Sequence, residues 1–265
     1  MADVKTTLTT LITGASSGIG LELAKIFASK GTNLIIVSRN VIELSKLKSE
    51  LVEKYKVYVE EIVKDLSIPG AAQQVFDEVN SLDFDVDYLI NNAGFGDYGL
   101  FYKSNWEKQE KMINLNMLAL TQLTRLFLPG MIKKKSGKIM NVASTAAFQP
   151  GPLMSVYYAS KAYVLFFSEA IANELEGTGV TVTALCPGPT KSGFQKAANV
   201  EHSKMLDGKS IPTAKKVAEY GYKAMMKGKR VAIQGFVNKE LAFFSRRAPK
   251  KFILNTVRKM NEGRK

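Results

Sequence analysis

The chain has 265 residues, of which 46% are hydrophobic, and it carries 37 Lys and Arg against 24 Asp and Glu, for a formal net charge of +13. This length suits one large α/β domain, and the charge favours acidic partners without choosing among phosphorylated ligands, nucleic acid and anionic membranes. The single cysteine excludes an intrachain disulfide, and together with the single histidine it argues against a His- or Cys-rich metal site. The sequence shows neither a signal peptide nor an apolar run of about 18 residues, so we expect a cytoplasmic protein.

Six apolar runs of strand length alternate with longer segments of helical period. The runs cover residues 8–14, 33–39, 57–65, 86–94, 137–144 and 179–188. Such alternation predicts a doubly wound α/β fold, in which a parallel sheet carries helices on both faces. Because no linker, repeat or low-complexity tract divides the chain, we expect one domain over residues 1–265.

The first run ends in the glycine-rich stretch TGASSGIG, and a helical segment follows it. A helix N-terminus presents unpaired amides and partial positive charge to an anion, provided that no side chain blocks the approach. Gly14 permits the tight turn, whereas Gly18 and Gly20 let the backbone approach a pyrophosphate and let helix and strand come close. The spacing G-x-x-x-G-x-G departs from the usual dinucleotide fingerprint, so a merely structural glycine turn stays open as the alternative.

The second run ends at Ser38 and Arg39, where dinucleotide folds usually place an acid that binds the adenosine ribose. An acid there would repel a 2′-phosphate, whereas an arginine can pair with it through two parallel hydrogen bonds. The sequence therefore predicts NADP(H) rather than NAD(H) as the cofactor. The alternative is that Arg39 is an ordinary solvated cation of a loop.

The third and fourth runs also end in polar residues. Asp65 closes the third run, and the stretch NNAG, residues 91–94, closes the fourth. Both then lie at the carboxyl edge of the sheet, where open α/β folds bind their ligands. The alternatives are a helix cap for Asp65 and a simple turn for NNAG.

A long helical segment over residues 155–175 carries Tyr157 and Lys161 four positions apart on one face. A nearby ammonium favours the phenolate and lowers the pKa of a tyrosine from about 10, which makes the pair a candidate general acid and base. Tyr158, three positions from Lys161, competes for the same role. A Tyr/Lys pair on a helix is by itself more often a surface feature.

Taken together, these motifs resemble the short-chain dehydrogenase/reductase family in order and spacing, from about residue 8 to residue 194. The matching residues are TGASSGIG at 13–20, NNAG at 91–94, Asn116, Ser144, the YxxxK motif at 157–161 and CPGPT at 186–190. The resemblance implies a Rossmann fold and an NADP(H)-dependent oxidoreductase, which moves a hydride between the nicotinamide and a carbonyl or secondary alcohol.

The resemblance also implies a role for each reacting residue. Tyr157, which the family spacing selects over Tyr158, would exchange a proton with the substrate oxygen, and Ser144 would orient that oxygen through a hydrogen bond. Lys161 would lower the Tyr157 pKa and hold the nicotinamide ribose. Asn116 would support a water-linked proton path.

The family pattern also bears on two further residues of the site. Asn114 is two residues from Asn116, and the family spacing to Thr124 favours Asn116. Thr190 would bond the nicotinamide carboxamide; the alternative is that its segment is a simple turn after the sixth run. The cofactor-binding residues that the resemblance implies are Gly14, Ser16, Ser17, Gly18, Ile19, Gly20, Arg39, Asp65, Leu66, Asn92, Ala93, Gly94, Tyr157, Lys161, Pro187, Gly188 and Thr190.

The family carries a mobile substrate lid after Thr190, here at about residues 190–215. Apolar residues in this segment and in the stretch 146–154 indicate a hydrophobic ketone or a 3-ketoacyl substrate; the alternative is that they pack the core or an oligomer interface. The lid residues concerned are Phe194, Val200, Met205 and Leu206. We expect Cys186 to be a small buried residue and His202 to lie on a surface helix or in the lid.

The C-terminal part, about residues 240–265, is basic. From residue 245 onward it holds eight Lys or Arg and one acid, interleaved with apolar residues. It is either a helix docked on the body with a solvated basic face or an interfacial helix that touches anionic lipid. A homo-oligomer is a further expectation from the family.

Two other functions remain as alternatives. One is a catalytically weak nucleotide-binding regulator with the same fold, against which the intact Ser144, Tyr157 and Lys161 argue. The other is a nucleic-acid binder, which only the charge suggests. Because the lysines are spread over many segments and no binding motif is present, we predict no nucleic-acid partner.

Overall fold

Seven parallel strands form the central sheet of the computed structural model, which describes residues 7–198 and 211–262. The strand order is β3-β2-β1-β4-β5-β6-β7. The strands are β1 Thr9–Thr13, β2 Asn33–Ser38, β3 Val59–Val63, β4 Val86–Asn91, β5 Gly137–Val142, β6 Val180–Cys186 and β7 Val231–Ile233. The doubly wound α/β fold is therefore confirmed, and each of the six predicted runs contains one strand.

Ten helices flank this sheet within the part of the chain that the structure describes. They are α1 Gly18–Ser29, α2 Val41–Tyr55, α3 Ala71–Ser81, α4 Trp106–Ile113, α5 Leu120–Lys134, α6 Ser155–Glu174, α7 Phe194–Ala197, α8 Ala214–Met226, α9 Phe236–Ser245 and α10 Lys250–Asn261. The π-helical turn Asn114–Ala119 joins α4 to α5, and short 3₁₀ turns occupy Phe101–Lys103 and Thr145–Phe148. No described helix is both long and apolar enough to cross a membrane.

Alternate residues of the central strands pack on opposite faces of the sheet. On one face, Ile12 packs with Phe27 of α1, and on the other face Leu11 packs with Val75 of α3 and Leu123 of α5. Every residue of β2 is buried. Apolar runs without alternation are therefore explained by helices on both sides, which is the three-layer arrangement.

The sheet changes direction between β1 and β4. The chain moves outward from β1 to β2 and β3, returns to the other side of β1 as β4, and then continues to β7. The helices that follow β1 and β4 consequently diverge to opposite faces and leave a crevice at the carboxyl ends of these strands. The glycine-rich turn follows β1 and the NNAG stretch follows β4, so both border this crevice.

The C-terminal part differs from the single basic segment expected at about residues 240–265. It consists of two helices, α9 and α10, and the first of them begins earlier, at Phe236. Pro249 directly precedes α10, a position where its missing N–H costs no helical hydrogen bond. The seventh strand, Val231–Ile233, is also absent from the prediction, because three residues are too few to show a strand period.

Candidate functional site

A cavity of about 500 Å³ opens at the carboxyl edge of the sheet. Its walls come from the loops that follow six strands and, at the other end, from α9 and α10. The predicted site residues that line it are Gly14, Ser16, Ser17, Gly18, Ile19, Arg39, Asp65, Leu66, Asn92, Ala93, Gly94, Ser144, Tyr157, Lys161, Pro187, Gly188 and Thr190. The two predicted residues that do not line it are Gly20 and Asn116.

The glycine turn and the NNAG stretch form one hydrogen-bonded unit. The Thr13 hydroxyl oxygen accepts from the amides of Asn92 and Ala93, each at 3.0 Å. The Asn92 side-chain amide donates back to the Thr13 carbonyl at 2.9 Å and to the Gly14 carbonyl at 3.1 Å. Thr13 therefore holds the glycine turn and the NNAG stretch together. This role was not predicted, because the partners of Thr13 lie about 80 residues away along the chain.

Two glycines of this turn are required by its geometry. Gly14 has a φ of +65°, and a Cβ placed there would stand 2.9 Å from the Ala93 Cα. A Cβ on Gly20 would overlap the Gly14 carbonyl oxygen. Gly20 thus serves the close packing of helix against turn and does not itself face the cavity.

The N-terminus of α1 faces the cavity through Gly18 and Ile19. Ser17 is the N-cap residue, but its side chain caps no amide, and the first turn contains no acidic residue. The partial positive charge of this helix end is therefore available to an anion. These features fit a pyrophosphate group.

Ser38 and Arg39 lie at the end of the cavity beyond the glycine turn. The Ser38 and Ser16 hydroxyls are hydrogen-bonded at 2.7 Å. The Arg39 side chain is 74% exposed, and its Nη1 lies 3.8 Å from Oδ2 of Asp65. Because this contact is long and exposed, the guanidinium keeps its donors available to a phosphate.

Asp65 lies at the cavity and does not cap a helix, because the N-cap residue of α3 is Gly70. Its carboxylate lines the cavity and also accepts from the Ser67 amide at 2.9 Å and the Ser67 hydroxyl at 2.7 Å. Burial acts to raise the pKa of this carboxyl, but the Ser67 hydrogen bonds and the charges of Arg39 and Lys111 outweigh it and lower the pKa. Asp65 is thus an anion that holds its own turn and faces Arg39.

Ser144 and Tyr157 meet at the middle of the cavity. Ser144 follows β5, and Tyr157 lies in the first turn of α6, which begins at Ser155. Both side chains line the cavity, and the Ser144 hydroxyl is near enough to Tyr157 to act on its pKa. The Ser144 hydroxyl is further held by the Ala146 amide at 3.1 Å and the Pro187 carbonyl at 3.5 Å. Ser144 and Tyr157, which are 13 positions apart in the sequence, therefore line the same cavity.

Lys161 is buried one helical turn after Tyr157. Its Nζ donates to the Val142 carbonyl at 2.8 Å and lies 5.9 Å from the centre of the Tyr157 ring. Burial lowers the pKa of Lys161 to about 8. At neutral pH the ammonium is therefore still mostly charged, although desolvation disfavours it.

The pKa of Tyr157 corrects one expectation. Burial raises it to about 12, and the hydrogen bond with Ser144 opposes this only in part. The Phe194 ring, 5.2 Å away between centroids, and the Tyr158 ring, 6.0 Å away, belong to the apolar surroundings. The net shift is therefore upward and not downward as expected, because desolvation of the phenolate outweighs the effect of the ammonium, which donates to Val142.

Tyr158 points away from this spot. Its hydroxyl donates to Oδ1 of Asn261 in α10 at 3.3 Å, and its ring covers Gly151, where a Cβ would overlap it. Burial raises its pKa as well. The geometry therefore favours Tyr157 over Tyr158 as the acid.

Asn116 is buried in the π-helical turn and bridges two other parts of the site. Its Oδ1 accepts from the Phe95 amide at 3.2 Å, and its Nδ2 donates to the Phe95 carbonyl and the Ser160 hydroxyl, each at 3.0 Å. A Cβ on Gly94 would stand 2.9 Å from Asn116 Oδ1 and 3.3 Å from Lys161 Nζ. Asn116 thus joins the loop after NNAG to α6, next to Lys161.

The far end of the cavity is apolar. Met154 and Phe194 line it as predicted, and so does Ala146. Helices α9 and α10 add residues that the sequence analysis missed, chiefly Val237, Leu241, Val257 and Met260. Their helical spacing within an apolar segment was the available signal, but spacing does not reveal which surface a helix covers.

Several predicted lid residues lie outside the described part of the chain. These are Val200, His202, Met205 and Leu206. Two described residues near the ends of the predicted lid are in contact, because the Lys191 amide donates to the Pro212 carbonyl at 2.9 Å. Cys186 is buried as predicted, and burial raises the pKa of its thiol to about 12.

Among the described residues, no three His, Cys, Asp or Glu side chains come together in a way that could hold a metal ion.

Comparison with known proteins gives consistent matches. The family model for short chain dehydrogenases matches residues 8–203. The very-long-chain 3-oxoacyl-CoA reductase of Anas platyrhynchos is 32% identical over 183 residues, which are 67% of this chain and 58% of that protein. The ketoacyl reductase HetN of Nostoc sp. is 33% identical over 221 residues, which are 82% of this chain and 75% of that protein.

The fold of this chain is also similar to that of a solved structure. A short-chain dehydrogenase from Sphingobium yanoikuyae in complex with NADPH has a TM-score of 0.80 and 32% identity, over 86% of this chain and 88% of that chain. The match to the 3-oxoacyl-CoA reductases covers less than two thirds of their length.

Proposed function

We propose that this chain, which belongs to the short-chain dehydrogenase family, uses NADP(H) to reduce the carbonyl group of an apolar substrate. The observation that carries the proposal is that Ser144 and Tyr157 line one cavity together with the glycine turn after β1. Two hydroxyl groups directed at a carbonyl oxygen would stabilise the negative charge that develops there during reduction.

The residues present fit the cofactor at both ends. The amides at the start of α1 and the part of the cavity that Gly14 and Gly18 line would hold the pyrophosphate, and Arg39 would pair with a 2′-phosphate. The absence of an acid at positions 38 and 39 supports NADP(H) over NAD(H). The Sphingobium neighbour was solved with NADPH.

The protonation state of the site suits reduction. When bound, the nicotinamide would supply the hydride that adds to the carbonyl carbon. Tyr157, with its pKa raised to about 12 by burial, holds its proton at neutral pH and would donate it from Oη to the carbonyl oxygen. Ser144 would orient that oxygen, and the charged Lys161 would favour the phenolate left on Tyr157.

The walls beyond Tyr157 determine the proposed substrate class. Met154, Phe194, Leu241, Val257 and Met260 make this end of the cavity apolar, which suits a hydrophobic ketone or a 3-ketoacyl chain. The names of two relatives, a very-long-chain 3-oxoacyl-CoA reductase and a ketoacyl reductase, point to the same class.

A catalytically weak nucleotide-binding regulator is the second candidate. The observation that favours it is the high pKa of Tyr157, because a phenol this weakly acidic transfers its proton less readily. The two candidates share the cofactor site and differ only in turnover.

We also propose that the protein forms a homo-oligomer. Ile132 on α5 and Phe166 on α6 are apolar and exposed, as is Leu118 in the π-helical turn between α4 and α5. Light scattering of the wild type and of Phe166→Gln tests this, because loss of an interfacial phenylalanine would shift the protein toward the monomer. If both proteins were monomeric, this proposal would be contradicted.

A cytoplasmic location stays a prediction.

The deciding experiment is consumption of NADPH with straight-chain ketones and 3-ketoacyl substrates of graded length. We expect kcat/KM to rise by about fourfold per added methylene until the apolar end is filled. Binding of NADPH, measured by quenching of its fluorescence, without turnover of any carbonyl would support the regulator and contradict the reductase. Faster turnover with NADH than with NADPH would contradict the cofactor assignment.

A further inference from the structure

Helix α9 exposes a large apolar surface. We define the α9 apolar face as Phe236, Val237, Leu241, Phe243 and Phe244, all of which are exposed. Phe236 is 76% exposed and Phe244 60%. Positions 237, 241 and 244 follow helical spacing on one side of α9, while Ala242 is the buried residue of this helix. A contiguous exposed patch of this kind marks an interaction surface.

The α9 apolar face continues into the wall of the cavity. Val237 and Leu241 are both exposed to solvent and part of the cavity lining. An apolar molecule that lies against α9 is therefore already at the mouth of the cavity that ends at Tyr157.

Cations lie beside this face. The Arg247 guanidinium stacks on the Phe243 ring, 3.8 Å from its centroid, and Lys250 and Lys251 are exposed at the start of α10. Residues 236–262 hold seven Lys or Arg and two Glu in total. Aromatic side chains flanked by cations are typical of surfaces that insert into the headgroup region of an anionic bilayer.

We propose that the α9 apolar face and the cations of residues 246–251 dock this protein on an anionic lipid bilayer, and that apolar substrate enters the cavity from the lipid past Val237 and Leu241. A second copy of the chain suits the surface less well, because a two-fold contact would bring the same positive charge to both sides. The entry route rests on the proposed function, whereas the docking does not.

Docking is tested by co-sedimentation of the full chain with phosphatidylcholine vesicles, with and without phosphatidylglycerol. The double variant Phe236→Gln/Phe244→Gln removes two exposed rings that do not line the cavity. We expect its partition coefficient on anionic vesicles to fall about tenfold or more. The matched control is Ile42→Gln on α2, whose side chain is 77% exposed, and it should bind like the wild type.

A charge variant tests the lipid specificity. Arg247→Gln/Lys250→Gln/Lys251→Gln should lose about fivefold per removed cation on anionic vesicles and change little on phosphatidylcholine alone. Failure of the wild type to sediment with anionic vesicles would overturn the docking, and so would undiminished binding by the double phenylalanine variant. A smaller oligomer of that variant without lipid would assign the face to a second copy and also overturn it.

The entry route is tested by turnover of a short water-soluble ketone and of a long-chain ketone dissolved in vesicles. The double phenylalanine variant should keep kcat/KM for the short ketone and lose about tenfold for the long one. Equal use of the vesicle-dissolved ketone by the variant and the wild type would overturn the route. If the wild type reduces neither ketone, the proposed function fails, while the sedimentation result still decides the docking.

Discussion

The Tyr158 hydroxyl donates to Oδ1 of Asn261 across 3.3 Å, although the two residues are 103 positions apart. The Asn261 side-chain amide in turn donates to the Pro152 carbonyl at 2.8 Å, and both side chains are buried. Asn261 thus ties the last turn of α10 both to α6 and to the loop before it. It thereby holds Val257 and Met260 against the cavity.

Replacement of Asn261 tests this tie. Asn261→Ala leaves the Tyr158 hydroxyl and the Pro152 carbonyl without their partner, and we expect a loss of about 1–3 kcal/mol in the free energy of unfolding. Because Val257 and Met260 lose their anchor, KM for long substrates should rise while kcat for a short ketone stays near the wild-type value. Chemical denaturation and steady-state kinetics measure the two effects.

The control for this variant is Asn255→Ala, on the exposed side of the same helix. It should change neither the free energy of unfolding nor KM. An Asn261→Ala protein as stable as the wild type would show that α10 is held by its apolar contacts alone.

The two adjacent tyrosines provide a second prediction. Tyr157→Phe removes the hydroxyl that faces Ser144 and should lower kcat by about 100-fold or more while NADPH binding stays intact. Tyr158→Phe removes only the bond to Asn261 and should cost about 1 kcal/mol in stability with turnover largely kept. Kinetics and thermal unfolding of both variants are the measurements, and the reverse pattern of activity would exchange the roles of the two residues.

A third prediction concerns the 2′-phosphate. Arg39→Asp replaces an exposed cation with an anion, so the Kd for NADPH should rise by about 10–100-fold while that for NADH does not rise. Lys46→Asp, the same change of charge at an exposed position of α2, is the control for general electrostatics. Fluorescence quenching gives both constants. Equal weakening by the two variants would mean that Arg39 makes no specific contact.

The buried ammonium of Lys161 leads to a prediction about pH. Its pKa is lowered from 10.5 to about 8 in the folded protein, so the unfolded chain binds more protons between these pH values and stability rises with pH in that window. Relative to Lys161→Met, the wild type should gain on the order of 2 kcal/mol between pH 7 and pH 10.

Denaturant unfolding of both proteins across this range measures the effect, and the difference between them cancels the titration of other groups. Lys161→Met should be the more stable protein at pH 7 and should have little or no turnover. A pH-independent difference would show that Lys161 titrates normally in the fold.

Much of the site was predictable because local spacing encodes it. The glycine turn after a strand, the YxxxK spacing on one helix face and the polar ends of parallel strands all follow from backbone geometry over short stretches. The structure accordingly places Gly14, Ser144, Tyr157 and Lys161 along one cavity.

The pKa of Tyr157 was not predictable in the same way. Four positions of helix place Lys161 near Tyr157, but the sign of the shift depends on how much apolar surface surrounds the phenol. Phe194 and other distant parts of the chain supply that surface.

The amino-acid sequence by itself determined the parallel sheet and the glycine turn after β1, since each follows from periodicity and spacing within one or two elements, and its motifs supplied the candidate site residues. Only the tertiary structure decided that the Tyr158 hydroxyl binds Asn261 of α10, and that α9 both lines the cavity and exposes an apolar face. These features depend on contacts between segments up to about 100 residues apart, and helical spacing shows that a face is apolar without showing what covers it.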